Sequence, residues 1–361
     1  MSRSLDEGSS TWARVWRWAR FPVLLVVGLL AARIIIGIVG AIDWGSVWSA
    51  VRLLTILQAL ILVLVLVMRQ VWNAIPLSQF VAGLGLGRSM QNDLGAGLIG
   101  TVAPPPADVV LRVSMYRSWG IDPVEGMAGV TMNTLTFYSV RFLTPALGLI
   151  LLAVYEGNAQ HLLAAAASTL VAVAILASLV AISRGDRLAA RLGRDAGRVA
   201  ARFRDSVDAE SWSAAVVDFR ARVGERARTG IGPSLAALVA MVLSDATIAL
   251  LALRFVGVDA SLVPVVAVYG AFLLVYPLTL FPLMGLGILD AALVALWTEV
   301  AGIDAESRIV AGLVVWRVIS LLMPLIIGVP SLLWWRRSAG VKGGAVAPQT
   351  TSIGGQPEHD D

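Results

Sequence analysis

Cysteine is absent from this chain of 361 residues, and histidine occurs only twice, at His161 and His359. Without a thiol, neither a disulfide framework nor a thiolate metal site can form. One histidine lies in a predicted short loop and the other near the C-terminus, which disfavours a histidine metal centre and a Ser-His catalytic pair. We therefore expect no metal, no cofactor and no enzymatic activity.

Charged residues are also scarce. They make up 14% of the chain, whereas 58% of its residues are hydrophobic. In soluble domains about 25% of the residues are charged and about 45–50% are apolar. The apolar residues form runs of about 18 or more positions, enough to cross ~30 Å of hydrocarbon. These runs lie at 22–42, 51–68, 162–182 and 309–335. Because the runs are continuous rather than alternating, we predict an all-α, polytopic transmembrane helical bundle in the cell membrane.

The formal net charge of +4 indicates cytoplasmic loops near anionic lipid rather than a nucleic-acid partner. Residues 1–20 are basic and rich in tryptophan, and residues 184–229 carry arginines at helical spacing. Both are predicted to be cytoplasmic, the second as a solvated helix or one docked on headgroups. The apolar run continues past Arg33, too far for a cleaved signal peptide. The chain then divides into this N-terminal segment, a transmembrane domain at 21–335 and a disordered cytoplasmic tail at 336–361.

The apolar runs predict seven clear spans. They lie at about 21–42, 51–68, 126–154, 162–183, 232–256, 261–281 and 308–335. An odd number would leave the C-terminus outside, although Arg336 and Arg337 favour the cytoplasmic side. We therefore predict about eight spans, with 288–301 as the additional one.

Glycine and proline break two regions of the predicted bundle. In the first, apolar stretches at 74–87 and 94–103 are too short to cross and lead into Pro104-Pro105-Pro106. The second runs from Pro277 to Gly287. Such interrupted helices are typical of re-entrant segments, whose freed backbone is covered by protein or by a watery cavity. We predict a re-entrant segment in each region.

A short sequence match links the two regions. Asp108 and Gly120-Ile121-Asp122, with eleven residues between them, correspond to Asp290 and Gly302-Ile303-Asp304, also with eleven residues between them. Each copy precedes a long span with an arginine inside it. Repeats that meet at broken helices form the binding sites of secondary transporters. We predict an internal repeat, either parallel or inverted.

Five charged residues fall within the apolar stretches: Arg33, Arg141, Asp245, Asp290 and Arg317. An unpaired charge at the bilayer centre costs at least ~2.5–3.5 kcal/mol, so these groups must pair, face water or reach headgroups. One interpretation is a set of buried ion pairs. The other is a polar crevice that accepts a lipid headgroup while the acyl chains stay in the bilayer.

Arginine suits the second interpretation because its guanidinium can bind a phosphate in bidentate fashion and stays charged when partly dehydrated. Helix N-termini after Pro106 and Gly287 would add free N–H groups and a positive dipole end. Both features favour an anion, so the predicted ligand carries a phosphate.

Three stretches resemble the transmembrane region of lysylphosphatidylglycerol synthases, a flippase-like superfamily of integral membrane proteins. They are Pro104–Arg112, Gly285–Asp290 and Val314–Arg317, and the likeness spans most of residues 20–335. In the family, an arginine stands four positions after the acidic residue of the first turn. Arg112 stands at that distance from Asp108 and matches this arginine. The resemblance implies the same membrane fold.

This chain departs from the family's motifs at both turns. Leu283 and Met284 stand where the family has Pro-Gly, and Asp290 replaces its glutamate. Prolines precede Asp108, where the family often has glycine and arginine. These departures affect the anion-binding detail more than the fold.

The resemblance implies translocation of a phospholipid, glycolipid or polyprenyl-phosphate lipid, with a membrane lipid of anionic or phosphate-bearing headgroup as the partner. The chain has no phosphate-binding Gly-x-x-x-x-Gly-Lys-Ser/Thr loop, so transport would run downhill or be coupled to ions. The candidate substrate-binding residues are Arg33, Asp108, Arg112, Arg141, Asp245, Gly285, Gly287, Asp290 and Arg317.

Two other functions remain open. One is an accessory or scaffold subunit for an envelope glycosyltransferase or a lipid-modifying enzyme, docked through residues 184–229. The other is an intramembrane enzyme, for which aspartates without a histidine-rich motif are weak support. Full-length synthases add a cytosolic aminoacyltransferase domain, and the residues from Ser338 onward are too few for one, so we expect no aminoacyl transfer here.

Overall fold

The computed structural model describes residues 54–104, 106–156 and 209–343, together with Arg52 and single positions between 169 and 194. These residues form helices and turns, and no strand occurs among them. Arg33, the predicted first span at 21–42, most of the predicted span at 162–183 and the tail from 344 lie outside the described residues.

The first half of the described chain has a long helix, two short helices and a second long helix. These are α1 (Ile56–Phe80), α2 (Leu86–Val102), α3 (Ala107–Ser118) and α4 (Pro123–Glu156). α1 begins at a capping box, in which Thr55 and Gln58 each accept a backbone N–H of the other. α2 and α3 form an antiparallel hairpin around the proline turn that the sequence predicted.

The second half repeats this order with α5 (Ala209–Phe255), α6 (Val265–Val275), α7 (Ile288–Ala301), α8 (Glu306–Arg317) and α9 (Met323–Gly343). A 3₁₀ turn at Tyr276–Leu280 and a four-residue helical turn at Pro282–Gly285 separate α6 from α7. A π-helical turn at Val318–Leu322 joins α8 to α9. The described chain therefore has two halves of similar design.

Four helices of the described residues are long and apolar enough to cross a membrane: Ile56–Phe80, Pro123–Ala153, Arg228–Phe255 and Ile303–Ala339. They contain most or all of the predicted spans at 51–68, 126–154, 232–256 and 308–335. The predicted span at 261–281 corresponds to a shorter apolar helix, Val265–Leu280. α7 has 14 residues, about 21 Å of helix, and packs against α6. The all-α membrane bundle is confirmed, and eight spans stay a prediction.

The predicted broken stretch at 74–87 is wrong over its first half. Residues 74–80 continue α1 through Pro76, and the break begins only after Phe80. Arg69 and Gln70 end the apolar run in the sequence, but both are buried in the fold. The helix can therefore continue past them without exposing charge to lipid.

The short sequence match corresponds to a repeat in the structure. Asp108 lies in the first turn of α3, and Gly120 follows that helix with a φ of +73°. Asp290 lies in the first turn of α7, and Gly302 follows it with a φ of +84°. Glycine adopts this left-handed conformation without the steric penalty of other residues.

The two halves have opposite orientations. α1 and α5 are equivalent helices and pack side by side. The Gly230 end of α5 meets Phe80 at the end of α1, and Asp245 pairs with Arg69 farther back. Residue numbers therefore rise along α5 as they fall along α1, so the two helices are antiparallel. The repeat is therefore inverted: a pseudo-twofold axis perpendicular to the helices relates the two halves.

Two equivalent contacts between the halves support this symmetry. α4 packs on α6 where Gly148 meets Gly270, and α9 packs on α2 where Gly328 meets Leu94. At each contact a glycine of a long helix lies against a backbone carbonyl oxygen of a short helix. The short hairpin of each half is thereby held by the last long helix of the other half.

Gly148→Ala is expected to weaken the α4–α6 contact. A Cβ at this position would lie 2.6 Å from the Gly270 carbonyl oxygen and 2.8 Å from the Leu274 nitrogen. Because backbone cannot yield as a side chain can, we expect a loss of about 1–3 kcal/mol in stability. Thermal unfolding of the purified protein in mild detergent measures it. Gly232→Ala is the matched control, since a Cβ there meets nothing within 4 Å; equal midpoints for both variants would contradict the close contact.

Candidate functional site

A polar cavity of about 500 Å³ lies within the first half, between α1, α2, α3 and α4. We call it the α1–α4 cavity. Among its lining residues are Asn73 of α1, Asp93 of α2, Asp108 and Arg112 of α3, and Asn133 and Arg141 of α4. Three of these, Asp108, Arg112 and Arg141, were predicted from the sequence. All four helices of one half therefore contribute to one site.

Arg141 is buried, with 9% of its surface exposed. No acidic group of the described residues forms an ion pair with it, and its Nε has no hydrogen-bond partner there. Its guanidinium carbon instead lies 4.4 Å from the ring centroid of Phe137, one helical turn earlier on α4, and 5.8 Å from that of Tyr138. Cation–π contacts hold the side chain in place but leave its N–H donors available to an anion.

Arg112 of the same cavity is paired. Its Nη1 donates to Asp93 Oδ1 at 3.0 Å and to Asn92 Oδ1. These bonds join α3 to α2 inside the hairpin. The other carboxylate oxygen, Asp93 Oδ2, is buried and accepts no hydrogen bond within the described residues. Arg112 therefore stabilises the hairpin, while Asp93 keeps an acceptor for a ligand.

Asp108 and Asn133 add further hydrogen-bond acceptors to the cavity. Asp108 sits in the first turn of α3, where its carboxylate complements the helix dipole. This turn lies beside Gly100 of α2, where an added Cβ would be in ordinary contact with Asp108 at 3.6 Å. Asn133 Oδ1 is buried without a hydrogen-bond partner in the described chain. The cavity thus offers a cation for an anionic group and oxygens for donors on the same ligand.

The equivalent region of the second half is closed by an ion pair. Arg317 Nε donates to Asp290 Oδ1 at 2.7 Å and Nη2 to Oδ2 at 3.0 Å, while Nη1 donates to the Met284 carbonyl at 3.2 Å. Asp290 also accepts the Gly287 N–H at 2.7 Å. The carboxylate of Asp290 therefore lies at the N-terminal end of α7, where we expected the anion of a ligand. Gly285 allows the tight turn with a φ of +71°.

Asp245 lies in a third place, between α1 and α5, and is fully buried. Its Oδ2 is 3.1 Å from Arg69 Nε, an ion-pair distance. That N–H does not point at the carboxylate, so both oxygens of Asp245 lack a hydrogen bond within the described residues. Arg69 Nη1 donates to Gln70 at 2.8 Å instead.

The sequence did not identify Arg69. It lies one position beyond the predicted span at 51–68, where an arginine is expected to reach the headgroups. The sequence repeat gave no signal for it, because the Asp108 and Asp290 motifs lie 182 positions apart, whereas Arg69 and Asp245 lie 176 positions apart.

The predicted residues therefore fall into three groups. Asp108, Arg112 and Arg141 share the α1–α4 cavity, and Gly285, Gly287, Asp290 and Arg317 form the ion-paired turn of the second half. Asp245 stands apart with Arg69. Within the described chain, no group of three or more histidine, cysteine, aspartate or glutamate side chains could hold a metal ion.

A family model described as the lysylphosphatidylglycerol synthase TM region matches residues 23–328. The match covers both halves of the described bundle and confirms the resemblance that the motifs carried. No curated protein and no solved structure matches the chain.

Proposed function

Because the chain belongs to the lysylphosphatidylglycerol synthase TM region family, we propose that it is a flippase-like membrane protein. It carries a lipid with a phosphate-bearing headgroup across the cell membrane, with the headgroup in the α1–α4 cavity and the acyl chains in the bilayer. Phospholipids, polyprenyl-phosphate lipids and those glycolipids that carry a phosphate have this chemistry. The N-terminus and the basic loop at 184–229 are cytoplasmic in this proposal, and no enzymatic step is involved.

One observation supports the proposal more than any other: Arg141 is buried in a polar cavity without an acidic partner among the described residues. Burying such a charge costs at least ~2.5–3.5 kcal/mol at bilayer depth. Arg317, the corresponding arginine of the other half, avoids this cost through Asp290. An arginine kept unpaired in a cavity is suited to a mobile anion, and its planar donors match a phosphate.

The size and polarity of the cavity fit a headgroup rather than a whole lipid. Its volume of about 500 Å³ lies within the 300–1,000 Å³ typical of small-molecule sites. Most of its lining side chains are polar or charged, so acyl chains stay more favourably in hydrocarbon. Asp93, Asp108 and Asn133 can accept hydrogen bonds from hydroxyl or ammonium groups beside the phosphate.

A scaffold role for an envelope enzyme is the second candidate. It is favoured by the ion pairs Arg69–Asp245, Arg112–Asp93 and Arg317–Asp290, since charges that neutralise one another inside a bundle need no substrate. Purified protein in liposomes separates the two candidates. Transbilayer movement of a fluorescent phospholipid supports transport, whereas no movement together with co-purification of an envelope enzyme supports the scaffold.

Gly97→Leu is expected to block transport without disturbing the fold. Gly97 lines the α1–α4 cavity, and a Cβ there meets nothing within 4 Å. The leucine side chain would occupy the space of the headgroup, and a clash of only about 1.4 kcal/mol lowers binding tenfold. We expect the initial rate of lipid movement in liposomes to fall by roughly tenfold or more.

Gly232→Leu is the matched control for this variant. It adds the same side chain to α5 at a position where a Cβ also meets nothing within 4 Å, and its transport rate should equal that of the wild type. If Gly97→Leu folds normally and transports at the wild-type rate, the headgroup does not pass through the α1–α4 cavity.

A further inference from the structure

A second cavity, of about 660 Å³, lies on the opposite face of α2 from the α1–α4 cavity. It is a groove between the beginning of α2, the end of α3 and the end of α9, and we call it the α2–α9 groove. Met90, Leu94, Ile327, Pro330 and Trp334 supply apolar walls. It shares no lining residue with the α1–α4 cavity, so the family function does not account for it.

Hydrogen bonds fix the walls of this groove. Gln91 Nε2 donates to the Ser331 carbonyl at 2.9 Å, which ties α2 to α9. Trp335 Nε1 donates to Ser118 Oγ at 2.8 Å, which ties α9 to α3. The groove is thus bordered by three helices that contact one another, rather than being a loose gap between two of them.

Aromatic and basic side chains gather at the mouth of the groove. Trp334 is 74% exposed, and Trp119 lines the groove beside it. Tryptophans with one apolar side and one polar edge are typical of the membrane–water interface. This end of the bundle therefore lies at the level of lipid headgroups, and the apolar interior of the groove reaches toward the acyl chains.

Arg88 is the charged residue that lines the groove. It is exposed, its guanidinium carbon lies 5.8 Å from the ring centroid of Trp119, and no acidic group of the described chain pairs with it. Arg117, Arg336 and Arg337 are exposed at the same end. The nearest acidic residues in sequence to these helix ends, Asp122 and Glu125, do not line the groove. The mouth therefore favours an anion.

We propose that the α2–α9 groove binds an anionic phospholipid of the surrounding leaflet, separately from the transported lipid. One acyl chain lies along Leu94, Ile327 and Pro330, and the phosphate meets Arg88 at the mouth. Basic sites between transmembrane helices select anionic headgroups by this combination of charge and apolar contact. Because the groove and the α1–α4 cavity lie on opposite faces of α2, the bound lipid stabilises one wall of the transport site.

The test uses the full-length protein and native mass spectrometry in mild detergent. Dioleoyl phosphatidylglycerol and dioleoyl phosphatidylcholine are added at equal concentrations, and retained lipid is counted. We expect preferential retention of the glycerol lipid by the wild type and by Gly97→Leu, whose α1–α4 cavity is filled. Retention in the Gly97→Leu background separates this proposal from the transport proposal, since either can fail without the other.

Two variants remove the groove site in different ways. Arg88→Gln should weaken retention of phosphatidylglycerol roughly fivefold, the loss expected for one basic side chain at a membrane surface. Gly87→Leu should block the groove, because a Cβ at Gly87 meets nothing within 4 Å and has room there. Phosphatidylglycerol should also raise the unfolding midpoint of both variants by less than it raises that of the wild type.

Matched controls remove one charge or add one leucine elsewhere. Arg228→Gln and Gly232→Leu change exposed positions of α5 and should retain phosphatidylglycerol as the wild type does. Equal retention of both lipids by the wild type would overturn the proposal. Wild-type retention by Arg88→Gln would overturn it as well, and that variant decides the case if Gly87→Leu fails to fold.

Discussion

Asp245→Ala is expected to destabilise the protein by about 3–5 kcal/mol, the range measured when one partner of a buried ion pair is removed. Asp245 is fully buried between α1 and α5, and Arg69 beside it is 8% exposed. Without the carboxylate, the guanidinium would stay buried with Gln70 as its one hydrogen-bond partner among the described residues. Because typical domains have a total stability of about 5–15 kcal/mol, such a loss should greatly lower the unfolding midpoint.

The double variant Arg69→Met, Asp245→Leu should recover most of that loss. Apolar residues of similar volume often replace a buried ion pair without cost, because the desolvation penalty of both charges disappears. Unfolding of the purified protein in mild detergent, followed by circular dichroism, compares the variants. Asp304→Ala is the control, since Asp304 is exposed and its loss should change little. A single variant as stable as the wild type would show that the pair does not hold α1 to α5.

Much of the architecture was predictable because a membrane helix leaves a direct signal. A run of apolar residues long enough to cross hydrocarbon has few alternatives to a helix. The described spans at Ile56–Phe80 and Arg228–Phe255 follow from such runs. The Asp108 and Asp290 motifs also marked the repeat, since each aspartate begins a short helix that ends at a left-handed glycine.

The continuation of α1 could not be predicted in the same way. Arg69 and Gln70 interrupt the apolar run, and an arginine at a span end usually reaches the headgroups. Whether the helix stops there depends on what lies beside it. Here Asp245 of α5 faces Arg69, a contact between residues of the two halves that hydropathy does not contain.

The difference between Arg141 and Arg317 was also beyond the sequence. Both lie in long apolar spans that follow a copy of the repeat, and both were candidates for the same site. Arg317 is neutralised by Asp290 at 2.7 Å, whereas Arg141 rests on Phe137 and forms no ion pair within the described residues. Only the packing of the helices decides which arginine has a carboxylate within reach.

Arg141→Gln is expected to abolish most transport while leaving the protein as stable as the wild type or more so. Hydrogen bonds from a charged donor contribute about 1.5–3 kcal/mol, so losing the guanidinium should slow lipid movement roughly 10- to 100-fold. No ion pair within the described residues is broken by the change, and one buried charge disappears. Arg317→Gln should instead lower stability, because it leaves Asp290 without its partner.

The most direct test measures the initial rate at which a headgroup-labelled phospholipid crosses liposomes that contain the purified protein. Wild type, Arg141→Gln and the surface control Arg228→Gln are compared at equal protein density. Their unfolding midpoints are measured first, to confirm that each protein is folded. The account predicts that Arg141→Gln moves lipid roughly 10- to 100-fold more slowly than the wild type, with Arg228→Gln at the wild-type rate. A folded Arg141→Gln protein that moves lipid as fast as the wild type would contradict it.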